Sequence, residues 1–375
     1  MVRVLQVFYN INLGGAETTI MNYYRNIDRS KVQFDFLLIA GGQNKNYYED
    51  EVISLGARVF RIVKKSINPL RDRNFPKAFA RLIEENPEIK VVHIHISDPI
   101  TAGVIAFWAM RNGIEVRIHH IHTKVRKLTL AQKKSLPFVR AVCTNILGCS
   151  NEVGEAMFGV KKWQSSKKAG VLLNSRELEL FRYDPKKRQS TRKELGIDDE
   201  MAIISVASLY PVKNHFFLLD VFYEVLKESP DAVLLLAGDG ILREELESKV
   251  AELGIEDSVL FLGFRDNIAE LLQAADVFVL PSLFEGLPGA AIEAQAAGLL
   301  CLLSNNISSE AKIIDSAKFL PIDQGVKPWK EALLSCKNFN RFDTLQIVQD
   351  AGYEIDDAAK KLADLYLCGG EYAKN

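Results

Sequence analysis

The sequence has almost no net charge: 47 Lys and Arg stand against 48 Asp and Glu, a formal net charge of −1. That balance gives no bulk electrostatic pull toward nucleic acid, and no nucleic-acid partner is expected. Cysteine is scarce and odd in number, with Cys143, Cys149, Cys301, Cys336 and Cys368 at unrelated spacings. Such a set fits free thiols in a reducing compartment and excludes a disulfide framework. Long apolar runs are missing. A membrane-spanning helix needs about 20 apolar residues, and Thr101–Met110, the most apolar helical stretch, is too short. The opening MVRVLQVFYN reads as a strand and lacks the apolar core of a secretory leader. A cytoplasmic protein is expected. No Gly-x-Gly-x-x-Gly follows the first strand, so the fingerprint of nicotinamide and flavin enzymes is absent there. Low-complexity segments and sequence repeats are absent too.

What is present is a large apolar fraction, 48% of 375 residues, enough for two full cores. At about 150 residues per domain the length suggests two or three domains. Short apolar runs alternate with helical patterns. Strands are expected at Val2–Phe8, Phe34–Ile39, Val59–Ile62, Val91–Ile96, Val116–Ile121, Asn145–Cys149 and Val171–Asn174. Further strands are expected at Met201–Ala207, Ala232–Ala237, Val259–Leu262, Val277–Leu280 and Leu299–Ser304. Helices fall between them, for example Asn74–Glu85, Pro99–Arg111 and Phe216–Lys227. This alternation predicts an α/β fold of doubly wound parallel sheets, whose ligands gather at the carboxyl ends of the strands. The polar, basic segment Ser175–Lys193 is the candidate linker. Boundaries of 1–174, 175–352 and 353–375 follow, the last being a terminal helix from Ile355 to Leu367.

The chain is organised around Asp276–Gly298, which reads as a buried strand, a Gly/Pro loop and an Ala-rich helix. Pro288 suits the first position of that helix, where a missing N–H costs nothing. A helix start offers unpaired N–H groups and positive dipole charge to an anion. Glu285 and Glu293 flank it, and carboxylates accept hydrogen bonds from hydroxyls. Donors for phosphate beside acceptors for hydroxyls point to a sugar nucleotide.

The run Glu285-Gly-Leu-Pro-Gly-Ala-Ala-Ile-Glu293, after an apolar strand and a Pro-Ser turn and preceded by Gly238-Asp239-Gly240, resembles the Glu-x7-Glu motif of retaining glycosyltransferases. These are the family 4 enzymes of the GT-B fold, with two facing Rossmann-like domains, and the resemblance is to bacterial exopolysaccharide and capsule enzymes. It runs over nearly the whole chain. It implies hexosyl transfer with retention, from a nucleotide diphosphate sugar taken to be UDP-linked, to a saccharide or polyprenyl-linked hydroxyl. It further implies that Glu293 holds the ribose hydroxyls and Glu285 those of the donor sugar. The amides of Leu287 to Ala290, with Gly286 and Gly289 in the same loop, would meet phosphate. Gly238 and Gly240 would open the turn for base or ribose, and Phe264 would line the base pocket. Lys213 would neutralise the diphosphate, with Ser208 standing where the family has Arg. Losing that cation should weaken leaving-group stabilisation, although Ser208 can still donate one hydrogen bond. No Asp-x-Asp occurs, so no bridging metal and no cofactor are expected.

In the first half, the resemblance lays Gly14 and Gly15 against the donor pyrophosphate. By themselves they also fit an ordinary tight turn. Five of the 6 histidines, His93, His95, His119, His120 and His122, fall within thirty residues. His93 and His95 share a strand face, as core histidines often do. His122 best matches a family histidine that faces the donor sugar, with His120 as runner-up because a one-residue slip swaps the face. A histidine zinc site lacks a Cys or acidic partner at ligand spacing. From Val116 to Asn151 there is no Asp or Glu, yet Lys124, Arg126, Lys127, Lys133, Lys134 and Arg140 stand beside Leu128, Leu130, Leu136 and Phe138. This Lys124–Arg140 region is either a solvated basic face or, as the resemblance implies, a peripheral contact with the anionic inner face of the membrane. Two further readings on this architecture are a UDP-sugar epimerase and a non-catalytic partner subunit, the latter fitting the Ser208 departure.

Overall fold

The structure, a computed structural model, describes residues 1–40, 44–62, 72–125 and 127–369. Its contacts divide the chain into two units, Met1–Arg176 together with the chain from Ile355 onward, and Glu177–Glu354.

The first unit holds a seven-stranded parallel sheet: β1 (Val2–Phe8), β2 (Val32–Leu38), β3 (Val59–Phe60), β4 (Ile89–Ile94), β5 (Val116–Ile121), β6 (Asn145–Gly148) and β7 (Ala169–Val171), in the order β3-β2-β1-β4-β5-β6-β7. The second holds six strands: β8 (Ala202–Val206), β9 (Val233–Ala237), β10 (Val259–Gly263), β11 (Val277–Leu280), β12 (Leu300–Ser304) and β13 (Ala317–Leu320), in the order β10-β9-β8-β11-β12-β13. Helices cover both faces, so the strands read as continuous apolar runs; all four residues of β11 are buried. The strand order reverses between β1 and β4 in one sheet and between β8 and β11 in the other. Ligand sites of doubly wound sheets form at such switch points.

The expected elements are present, with ends shifted by a residue or two, as terminal turns fray. Three expectations fail. The strand expected at Val171–Asn174 is β7, which ends at Val171. The segment expected as a linker carries the helix Pro185–Leu195, started by the Asp184 carboxylate accepting from Lys186 N at 2.8 Å and stopped by Gly196 at φ +69°. Its polarity misled because a half-exposed helix needs few apolar residues. Pro288 is the cap before the central helix, not its first residue; the helix runs Gly289–Ala296.

The terminal helix Ile355–Leu367 belongs to the first unit and buries Ile355, Leu362 and Tyr366 with Phe34, Val4 and Tyr24 in one core. Beside that core, Asp35 is fully buried and held by Arg3 Nη2 at 2.5 Å and Arg58 Nη2 at 2.6 Å. Burial alone would raise its pKa. The two guanidiniums outweigh it and hold the carboxyl below its ordinary value.

Candidate active site

In the second unit the switch point brings together the loops after β8 and β11. Leu283 N donates to Val212 O at 2.8 Å and Asn214 Nδ2 to Pro281 O at 3.3 Å. Asn214 sits in the left-handed region, φ +60°, which Asn tolerates better than most residues. This ends a short 3₁₀ turn at Lys213 and starts the helix His215–Leu226. The two loops therefore place the Lys213 ammonium on Glu285 Oε1, which also accepts from Ser282 Oγ at 3.0 Å. Both side chains of the pair are largely sheltered, 20% and 17% exposed. The Glu285 backbone forms a parallel bridge with Ile307. Next to it the helix Gly289–Ala296 begins, with Ala291 N donating to Pro288 O at 3.1 Å. Glu293 lies partly buried on that helix.

The Gly238–Gly240 turn packs against the loop after β8. A Cβ on Gly238 would collide with Ala207 O, and one on Gly240 would lie 2.5 Å from Leu209 O. Leu209 N donates to Asp239 O at 2.9 Å, and Gly238 N to Gly263 O at 2.8 Å. The glycines thus serve close backbone approach as well as an open turn. Ser208 is exposed beside this turn, and Phe264, after Gly263, is 47% exposed. Ser208, Lys213, Gly238, Gly240, Phe264, Glu285, Gly286, Leu287, Gly289 and Glu293 all fall at or beyond the carboxyl ends of β8 to β11. A separate hollow of about 550 Å³ lies at the amino ends of β8 and β11. Its Arg188 is already paired with Asp276, at 2.6 Å, and it takes no part in this grouping.

In the first unit, Gly14 caps the helix Gly15–Asn26 with φ −157°, which any residue can adopt. Glu17 Oε2 occupies the space that a Cβ would need, and as the end of a flexible side chain it can move aside at little cost. The helix start read as an anion site thus carries a carboxyl of its own. Burial pushes Glu17 up to about 6, against a smaller lowering by its own backbone N–H. Gly15 has open space around it.

The histidines gather at the carboxyl ends of β4 and β5. His95 bonds His122 Nε2 through Nδ1 at 2.9 Å and Gln6 Oε1 through Nε2 at 2.8 Å. His93 Nδ1 lies 2.6 Å from Tyr366 Oη. His120 and His122 share a face, ring centroids 3.9 Å apart, whereas His119 points the other way and bonds Ile96 O at 3.0 Å. Burial drives His122 down to about 3 and His119 to about 4, so both are neutral at pH 7. Gln6 and Tyr366 were missed by sequence reasoning: nothing local marks a residue that arrives from the far end of the chain.

The acid-free segment contains a helix, Leu130–Val142, that hydrophobic patterning did not single out. Its signal was Thr129-x-x-Gln132, a capping box in which each side chain bonds the other residue's backbone. Leu130 is 70% and Phe138 41% exposed, alongside exposed Lys127, Lys133 and Lys134. Lys124 instead pairs with Glu152 at 3.0 Å. Arg126 lies outside the described residues.

The profile of the family described as Glycosyl transferases group 1 matches residues 187–333, within the second unit. The chain is 34% identical over 339 residues to the "Putative glycosyltransferase EpsF" of Bacillus subtilis (strain 168), covering 88% of this chain and 86% of that protein. It belongs to the glycosyl transferases group 1 family. A second relative, the "UDP-Gal:alpha-D-GlcNAc-diphosphoundecaprenol alpha-1,3-galactosyltransferase" of Escherichia coli, is 30% identical over 287 residues, 73% of this chain and 72% of that one. The crystal structure of Anabaena Alr3699/HepE in complex with UDP and glucose superposes with TM-score 0.74 at 14% identity, covering 99% of this chain and 97% of that chain. At that identity the likeness speaks for the fold, which is GT-B: two Rossmann-like parallel-sheet domains. This group 1 member is a glycosyltransferase, as the sequence reading expected. Among the described residues no helix is long and apolar enough to cross a membrane.

Proposed function

We propose that this glycosyltransferase moves a hexosyl-type sugar from a UDP-sugar to a hydroxyl of a saccharide or polyprenyl-linked acceptor, with retention, in surface polysaccharide biosynthesis. The observation that carries the reading is the meeting of Lys213 and Glu285 at the β8/β11 switch point, beside the start of the Gly289–Ala296 helix. Lys213 and the Leu287 to Ala290 amides would neutralise the departing diphosphate without a metal. Glu285 would accept from hydroxyls of the donor sugar and Glu293 from the ribose. Gly238, Gly240 and Phe264 would admit the base, and Ser208 would donate one hydrogen bond to phosphate. In the first unit His122, neutral at pH 7, can donate or accept one hydrogen bond to a sugar hydroxyl. The Gly14–Gly15 loop would contact the pyrophosphate. The Anabaena protein crystallised with UDP and glucose, and the E. coli relative is named for UDP-Gal and diphosphoundecaprenol; both support the donor and acceptor classes.

The test is UDP release with a panel of UDP-hexoses, with and without a lipid-linked saccharide. Acceptor-dependent release supports transfer. Release that ignores the acceptor, or none with any donor, rejects it. The second outcome favours the partner-subunit reading, for which the serine at position 208 is the specific observation.

We also assign the Leu130–Val142 helix, with its exposed Leu130, Phe138 and lysines, to peripheral contact with an anionic bilayer at the cytoplasmic face. Cosedimentation with liposomes should then rise with the anionic lipid fraction. Equal binding to neutral vesicles, or none to either, removes the assignment.

A further inference from the structure

Sequence spacing gave no reason to expect a metal centre among the histidines, because no acid or thiol sits at ligand distance along the chain. Folding changes the question. Strands β4 and β5 are neighbours in register, His93 opposite Ile118 and Ile94 opposite His119. Same-face residues of the two strands therefore converge. His93, His95 and His120 each present a ring nitrogen within 4.8 Å of the other two. All three are buried, and their centroids lie 4.2, 5.3 and 5.4 Å apart.

Two features set this apart from ordinary core histidines. First, the cluster is short of partners. His93 Nε2 makes no hydrogen bond, and of the two His120 nitrogens at most one meets the Leu172 backbone, which leaves the other unpaired. Buried polar atoms are nearly always paired, so orphaned ones call for an explanation such as an unseen ion. Second, the opposite nitrogens are held from behind. Tyr366 Oη meets His93 Nδ1 at 2.6 Å, and Gln6 Oε1 meets His95 Nε2 at 2.8 Å. Gln6 Nε2 donates to Tyr366 Oη at 3.3 Å and ties the two supports together. Metal-binding histidines are oriented in this way, the remote N–H fixed by an acceptor so that the near lone pair faces the ion.

We propose that His93 Nε2, His95 Nδ1 and a ring nitrogen of His120 bind one zinc-class divalent cation. Imidazole nitrogen suits such ions, and a tetrahedral site with Zn–N of about 2.0–2.1 Å needs nitrogens about 3.4 Å apart. Ring nitrogens of the three lie within 4.8 Å of one another, and side-chain rotations that draw them together reach that spacing. His95 Nδ1 now bonds His122 Nε2, so His122 must release it. His122 is the least buried of the five histidines, although its own Nδ1 is enclosed and makes no hydrogen bond, so it stands on the outer side of the cluster. A water completes the fourth position, and the released His122 ring stays available to the donor sugar. The centre lies in the first unit and is distinct from the phosphate contacts assigned to Lys213; it does not depend on the donor reading.

The experiment uses the full untagged chain, stripped with chelator and titrated with Zn²⁺ against a chromophoric chelator, and with Co²⁺ by visible spectroscopy. About one equivalent should bind at sub-micromolar Kd. Cobalt should give the intense bands of a four-coordinate site without a thiolate charge-transfer band, unchanged in Cys149→Ala. His93→Gln and His120→Gln should weaken binding by on the order of 100-fold, and Gln6→Ala by about 10–100-fold. Circular dichroism confirms that each variant is folded, and the wild-type cobalt spectrum stands if one is not. Substoichiometric or millimolar binding, affinity unchanged in both histidine variants, or a thiolate band overturns the proposal.

Discussion

Glu17→Gln isolates one partly buried charge whose cost can be worked from the structure. Glu17 sits in the first turn of the Gly15–Asn26 helix, where the helix dipole favours a negative charge. It nevertheless folds back over Gly14, and burial wins: the carboxyl is pushed from 4.5 up to about 6. That shift corresponds to about 2 kcal/mol between the two protonation states. The sign follows from proton counting. Between the unfolded value and about 6 the folded chain holds the proton more tightly than the unfolded one. The stability linked to Glu17 is therefore complete below about pH 4.5 and is lost as pH rises through about 6. The amide introduced by the substitution keeps the shape of the protonated acid and never ionises. Glu17→Gln should thus gain about 2 kcal/mol relative to wild type between pH 4.5 and pH 7.5, whatever constant offset the amide introduces. In a unit of this size that is a relative shift of roughly 4–8 °C in Tm. Urea denaturation of both proteins at the two pH values measures it. A variant-minus-wild-type difference equal at both pH values, within about 0.5 kcal/mol, refutes the reasoning and leaves Glu17 an ordinary surface carboxylate.

At the other switch point, Lys213→Met should lower acceptor-dependent UDP release by on the order of 10²–10³ in kcat, the cost of removing one preorganised charge from a developing anion; a loss under about threefold rejects the leaving-group role. Glu285→Gln should reduce transfer yet tighten UDP binding, because it frees the ammonium that Glu285 now holds; weaker UDP binding by calorimetry counts against the assignment. Gly238→Ala should lose UDP affinity and at least about 1–3 kcal/mol of stability, since a Cβ there collides with Ala207 O in a backbone with φ +145°; wild-type behaviour in both readouts sinks the close-approach argument. Asp35 has a depressed pKa, so its contribution is full above about pH 4 and disappears as pH falls through the folded value. Asp35→Asn should therefore destabilise by about 3 kcal/mol at pH 7 and by less once the pH has fallen below the folded value, and an effect that does not shrink on acidification excludes the ion-pair account.

The second-unit grouping was legible in the sequence because its parts are local. Strand, loop and helix come consecutively, and the residues that matter sit in the loops, where doubly wound sheets put their ligands. What the sequence could not show is that Lys213 and Glu285, on separate loops, bond each other; that needed the Asn214–Pro281 and Leu283–Val212 hydrogen bonds. The first unit was less legible. Its histidines were visible, but two of their supports, Gln6 and Tyr366, come from opposite ends of the chain and meet only through strand order and the terminal helix. The Leu130–Val142 helix escaped because its apolar side chains are partly exposed, which blurs the periodic stripe on which such readings rest. The supposed linker erred the other way, since low hydrophobicity was taken for absence of structure.

The Lys213–Glu285 pair also bears on how a single cation could serve where the family pattern has two. An ammonium paired with a carboxylate is not available to phosphate, so on the proposed function donor binding would exchange one partner for another. Such an exchange spares the full desolvation cost of an isolated charge, because Lys213 is never left sheltered and unpaired. It also means the cation contributes less than a free one would to ground-state binding. On the proposed function, more of its effect would be reserved for the departing diphosphate, whose charge grows as the glycosidic bond breaks. Only interactions stronger in the transition state than in the ground state raise kcat. A chain with serine at position 208 has fewer charges to aim at the leaving group. Holding its remaining lysine on Glu285 until a donor displaces that contact is the arrangement that loses least from the shortage.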